Sequence, residues 1–225
     1  MPIDYTKRPE NGPVGGPPPV SLSKVTLTKS APTVSLDKRT AAAGTLRVNL
    51  NWNARPQQSS GRLFRRKTSG IDLDLGCLFE YTDGSKGVVQ ALGNAFRDQH
   101  GFGPQPICWL DGDDRSGTNT AGENLHVDLR QLDHISRILV FAFIYEGVPS
   151  WAAADGVVTL FPVVGPQVEV RLDEHDEKSP MCAIAMLENT GAELSIRREV
   201  RYVRGDQQIL DRAYGWGLRW TAGRK

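Results

Sequence analysis

At 225 residues, with 27 Lys and Arg against 26 Asp and Glu, the chain is long enough for one sizeable core and carries a formal net charge of only +1. That balance excludes a global field for holding nucleic acid, and the longest apolar run, residues 138–145, falls far short of the ~20 residues of a membrane-spanning helix. The opening MPIDYTKRPENG lacks the apolar segment of a secretory signal, and Cys77, Cys108 and Cys182 show no CxxC spacing, so the expected setting is a reducing cytoplasm.

Residues 1–19 are dense in proline and glycine and end in Gly-Pro-Pro-Pro, which predicts a disordered, polyproline-like leader before a domain spanning 20–225. A short pattern then recurs as VSLSK, VTLTK and VSLDK, each alternating apolar and polar residues as a half-buried strand does. Leu46, Val48, Leu50 and Trp52 continue the alternation. Residues 57–70 break it with Gly, Ser and the cations Arg62, Arg65, Arg66 and Lys67, and read as a solvated loop.

In IDLDLGCLFE, residues 71–80, Ile71, Leu73, Leu75, Cys77 and Phe79 share one face of a strand. Asp72 and Asp74 share the other, about 7 Å apart at strand rise. Asp83-Gly84 signals a hairpin, with the return strand over 87–92. Residues 93–105 read as a loop, and 107–110 lead into LDGDDRSGTNTAGEN. Leu125, Val127 and Leu129 alternate again, and the unbroken apolar run 138–145 predicts a central core strand ending at Glu146. Short strands follow over 157–164, 168–172, 181–187 and 194–203, with a second acidic segment from Asp173 and Glu174 to Glu177. Only 206–213 reads as a helix, and the closing YGWGLRW is expected to pack as an edge strand. The fold class predicted is all-β, a sandwich of two mostly antiparallel sheets with long acidic loops and little helix.

The chemistry concentrates in the acidic loop. Asp111, Asp113 and Asp114 crowd together and Glu123 follows, an arrangement that repels itself unless water or a cation intervenes. Ca²⁺ takes about six to eight oxygens and supplies that relief. Together with Asp72 and Asp74 these carboxylates are the candidates for one cation site, weighed against a simple solvated turn. The loop is not an EF-hand: counted from Asp111, Arg115 stands where an acid or amide belongs and Glu123 comes one place late. Zinc is disfavoured, because His100, His126, His134 and His175 are scattered and none pairs with a cysteine at ligand spacing. The cysteines lie in apolar runs and are expected to be buried and inert. No G-x-S-x-G, Walker loop or H-E-x-x-H motif positions a reacting group, so no enzyme activity is expected.

VSLSKVTLTK, LRVNLNW, IDLDLGCLFEYTDGSKGVVQALGN, LDGDDRSG, RILVFAFIYEGVPSWAAADGVVT, EVRLDEH and DRAYGWGLRW together resemble the TerD family of tellurium-resistance and stress-response proteins, above all its TerA branch. The likeness runs from about residue 20 to the end. It implies a Ca²⁺-binding β-sandwich without established catalysis. The family's Asp-Leu-Asp strand matches Asp72-Leu73-Asp74, its loop matches Gly112 to Gly117, and its further acids match Glu146, Asp173 and Glu174. The chain departs from the family where a denser acidic run is usual and Thr118-Asn119-Thr120-Ala121 stands instead. Fewer anionic ligands weaken a calcium site or reduce the ions held.

The expectation is therefore a non-enzymatic Ca²⁺-binding protein of the tellurite-resistance system, its ion ordering a surface for other proteins of that system. Two other readings stand beside it. One is a calcium-independent scaffold whose cations at 57–70 touch an anionic membrane weakly. The other is a metal-dependent hydrolase. Thiol-based detoxification through the three cysteines is a further and weaker idea.

Overall fold

The computed structural model describes residues 24–52, 72–98, 105–112, 122–146, 151–174, 176 and 178–221. The proline-rich leader, the cationic loop 57–70, and His100 and His175 lie outside the described residues. Twelve strands are described: β1 Lys24–Thr26, β2 Thr33–Asp37, β3 Thr45–Asn51, β4 Asp72–Tyr81, β5 Lys86–Gln90, β6 Cys108–Leu110, β7 Glu123–Asp128, β8 Ile135–Glu146, β9 Gly156–Phe161, β10 Gln167–Leu172, β11 Met181–Asn189 and β12 Glu193–Val203. They form two six-stranded sheets. Sheet A runs β1-β10-β9-β3-β7-β6 and sheet B runs β2-β12-β11-β8-β4-β5. Among the described strands only the β1–β10 pairing is parallel. The all-β sandwich read from the periodicity is the fold observed.

Alternation does the building in sheet A. Leu46, Val48 and Leu50 of β3 are fully buried between the sheets, while Arg47 and Asn49 look outward and stay half-buried. Two of the three sequence repeats land in different sheets, β1 in A and β2 in B, and so wrap one flank of the sandwich. The first repeat lies mostly outside the described residues.

Sheet B has two buried faces, which is why β8 reads as continuous apolar sequence. Ile138, Val140 and Ala142 enter the inter-sheet core, and Leu139, Phe141 and Phe143 enter a second cluster on the outer face. A side chain at Gly76 would meet the Phe141 ring at 2.7 Å, so the glycine in IDLDLGC makes room for this second layer.

The cover of that layer corrects one expectation. YGWGLRW is not an edge strand: residues 216–220 have no strand assignment and follow helix α3, Gln207–Tyr214. Trp216, 2% exposed, donates its Nε1–H to Phe79 O at 2.9 Å and lies under the Arg137 guanidinium, 4.0 Å from the ring centroid. Asp211, also buried, accepts from Gly217 N–H and Leu218 N–H at 2.8 Å and from Trp220 Nε1–H at 2.9 Å. These backbone donors go to a carboxylate rather than a neighbouring strand. Two further short helices, α1 Lys38–Ala41 and α2 Trp151–Ala154, had no sequence signal beyond their turn chemistry. Among the described residues no helix is long and apolar enough to cross a membrane.

Candidate metal centre

Antiparallel pairing sets Asp72, Asp74, Glu123 and Glu146 at one end of the sandwich. In sheet A the end of β3 pairs with the starts of β7 and β9, as Leu50↔Glu123 and Asn51↔Val157. In sheet B the start of β4 pairs with the end of β8, as Asp72↔Glu146. The two sheets meet at Glu123. It occupies an inward position of β7, in line with Leu125 and Val127, and is only 4% exposed. Its Oε2 accepts the Leu75 N–H at 2.7 Å, so the carboxylate rests on the peptide that joins Asp74 to Leu75. That edge of β4 is open to it because β5 covers only Gly76–Glu80.

Asp74 is fully buried, Asp72 half-buried and Glu146 exposed. The even spacing expected for Asp72 and Asp74 is interrupted, because β8 contributes the extra residue Tyr145 and the register shifts between Asp72 and Leu73. The shift sets Asp72 opposite another acid, Glu146, at the mouth of the site. Four carboxylates on β4, β7 and β8 thus lie at the same end of the two sheets.

Asp111 turns away from it. Its N–H donates to Asn124 O at 3.2 Å, and its Oδ1 lies 2.7 Å from His126 Nε2 on the outer face of sheet A. The His126 ring stacks on Trp109 with centroids 5.1 Å apart. Asp113 and Asp114 lie outside the described residues. Asp173 and Glu174 follow β10, three strand positions from β7, about 14 Å at the usual strand spacing. Glu174 is engaged there by Arg198 at 3.0 Å and Lys29 at 3.1 Å. Burial works to raise its pKa, and the two cations outweigh burial and hold it below the ordinary 4.5. Strand order therefore sets Asp72, Asp74, Glu123 and Glu146 at one end of the sandwich and Asp173 and Glu174 on another flank.

Beside the acidic corner the sequence reading passed over a row of amides. Asn49 Nδ2 and Arg47 Nη1 donate to Asn124 Oδ1 at 3.0 and 3.1 Å. Asn49, Asn51, Trp52, Asp155, Val157 and Thr159 line an open cavity of about 510 Å³. The signal was present in LRVNLNW, where Arg47, Asn49 and Asn51 take every outward position, but attention to carboxylates alone misses it.

The donors at the corner are all hard oxygens, the set a calcium ion takes and a soft metal does not, so they fit Ca²⁺ in kind. In number they need help. Among the described residues no three His, Cys, Asp or Glu side chains are grouped closely enough to hold a metal by themselves.

Fold and corner together define an all-β sandwich protein with an acidic end. No family model matches the chain. It is 48% identical over 208 residues to the tellurium resistance protein TerA of an Alcaligenes species, covering 92% of this chain. The chain spans about 60% of that relative's length. A crystal structure described as a protein of unknown function superposes with a TM-score of 0.52 at 13% identity, covering 72% of this chain and 91% of its own, and shares the fold. A Streptomyces coelicolor A3(2) homologue of the telluride resistance protein TerD gives a TM-score of 0.49 at 16% identity, over 74% and 94% of the two chains. The chain belongs to the TerD family of tellurium-resistance proteins, and the TerA identity carries that membership.

Proposed function

We propose that the protein is a non-enzymatic Ca²⁺-binding component of the tellurite-resistance and stress-response system, working in the cytoplasm. Asp72, Asp74 and Glu123 would hold the ion, with Asp113 and Asp114 of the adjoining loop and Glu146 at the mouth. The observation that carries this reading is the seat of Glu123. A carboxylate 4% exposed is brought from sheet A onto the Asp74–Leu75 peptide of sheet B, beside a fully buried Asp74. A divalent ion is a counter-charge that buried carboxylates from the two sheets can share. Binding would order the acidic loop into a surface for another protein of the same system.

Calcium titration of the melting temperature tests the reading. A ligand at a hundredfold excess over its dissociation constant stabilises by about 2.7 kcal/mol, which for a chain of this size is about 5–10 °C. Asp74→Asn should remove most of that gain. An unchanged melting temperature at millimolar Ca²⁺ favours the second reading, a calcium-independent interaction scaffold. That reading is supported by the lack of a complete three-residue metal cluster among the described residues.

A further inference from the structure

The two sheets differ on their outer faces. That of sheet B carries a second apolar cluster, which Trp216 helps to cover. On sheet A the outward positions of β3 are all polar, Arg47, Asn49 and Asn51, and β9 sets Phe161, Thr159 and Val157 directly opposite them. The cavity of about 510 Å³ opens on this face, over Asn49, Asn51, Thr159 and Val157, with Trp52 and Asp155 completing its lining. Its volume is that of a small-molecule site.

The lining selects among ligands. An Asn amide donates and accepts at once, a Thr hydroxyl does the same, and an ionised Asp only accepts. Trp52, which also packs against the inter-sheet core, and Val157 supply apolar surface. Among the described residues no Lys or Arg lines the cavity. The guanidinium of Arg47, one pleat along β3, is engaged elsewhere: it donates to Asn124 Oδ1 at 3.1 Å and lies 4.0 Å from the Phe161 ring centroid. An anion therefore finds no counter-charge and meets Asp155. A divalent cation wants about six to eight oxygens, and a single carboxylate is a poor start. An apolar ligand would desolvate the amides, the hydroxyl and the carboxylate without bonding them. A neutral molecule with many hydroxyls meets every group, because each hydroxyl both donates and accepts while the C–H face of its ring rests on an aromatic side chain.

Asp155 adds a second observation. It follows α2 in the left-handed region, at φ 46°. Asp tolerates that region better than most side chains, yet glycine ends a helix there with less strain, and Gly156 stands only one place later. The residue placed at the strained position is the one that brings a carboxylate to the cavity.

We propose that this cavity binds a neutral sugar, a pyranose ring whose hydroxyls bond Asn49, Asn51 and Asp155 and whose apolar face lies on Trp52. The site adjoins the acidic end, since Leu50, next to Asn51, pairs with Glu123. None of its lining residues belongs to the proposed ion shell, and sugar binding does not depend on the ion.

The test uses the whole chain labelled with ¹⁵N, kept in EDTA and titrated with D-glucose, D-galactose, D-mannose and N-acetyl-D-glucosamine. At least one of these sugars is expected to shift the side-chain amide signals of Asn49 and Asn51 and the indole N–H signal of Trp52, saturating at millimolar concentration. Asp155→Gly removes the carboxylate and suits the left-handed backbone, so it should weaken that binding about tenfold without lowering the melting temperature. Asn51→Ala, on an exposed position, should weaken it similarly and carries the same comparison should Asp155→Gly not fold. If none of the sugars moves these signals, or a sugar moves them at the same concentrations in the parent and the variants, the proposal is overturned. Inorganic phosphate and calcium chloride serve as ionic probes: saturable shifts of the same signals by either, with none from the sugars, would assign the cavity to an ion instead. Because every sugar titration is done without calcium, its outcome is separate from that of the calcium reading.

Discussion

Replacing Asp211 by Asn tests whether a single carboxylate holds the C-terminal segment on sheet B. Its two oxygens accept three donors, Gly217 N–H, Leu218 N–H and Trp220 Nε1–H, all at 2.8–2.9 Å. Asn is the same size but has one acceptor oxygen. Seated to keep the two bonds on Oδ2, its amide NH₂ faces the Gly217 N–H and leaves a donor without a partner. A hydrogen bond to a charged group contributes about 1.5–3 kcal/mol, and a stranded buried donor costs about as much, so the net loss is about 3 kcal/mol. For a chain of this length that lowers the melting temperature by about 6–12 °C. Because Trp216 is 2% exposed and its ring lies under Arg137, loosening the segment should also shift tryptophan emission to the red. Asp206→Ala is the control. Asp206 caps α3 by accepting from Gln208 N–H and Ile209 N–H, and its loss should cost about 1 kcal/mol without exposing Trp216. If Asp211→Asn melts within about 2 °C of the parent with unchanged emission, the segment is held by something else.

Two further outcomes follow from the geometry. Gly122, where the acidic loop enters β7, has φ 73°, and a Cβ there would sit 2.1 Å from Leu50 O. Gly122→Ala should therefore cost more than about 2 kcal/mol in a urea melt, and a neutral result would contradict the close approach of loop and β3. Acid should weaken the fold through Glu80. Burial works to raise its pKa, but hydrogen bonds from Arg137 and Lys86 outweigh burial and hold it below the ordinary 4.5. A carboxyl depressed in the folded state stabilises fully above its unfolded value, and the benefit is lost as pH falls through the folded one. Urea midpoints should fall below about pH 4.5, less steeply in Glu80→Gln. Parallel curves for the two proteins would remove Glu80 from the account.

The strands were legible because one buried face leaves a period of two in the sequence, as in Leu46, Val48 and Leu50. The C-terminal segment was not. Its aromatics suggest a strand, yet whether backbone N–H groups go to a neighbouring strand or to Asp211 is decided by a side chain one helical turn earlier, which periodicity does not record. At the acidic end the residue types were legible, and strand pairing places Asp72, Asp74, Glu123 and Glu146 at that end of the two sheets. What spacing alone does not convey is strand order. Asp173 and Glu174 look equivalent in sequence, yet β9 and β3 stand between them and Glu123.

Isothermal titration of the metal-stripped protein with Ca²⁺, repeated on Glu123→Gln, tests the calcium reading most directly. Saturable binding at a defined stoichiometry, much weakened when the Glu123 charge is removed, is the predicted result. Heats no larger than dilution for the parent protein, or identical isotherms for parent and Glu123→Gln, would contradict an ion held between the two sheets.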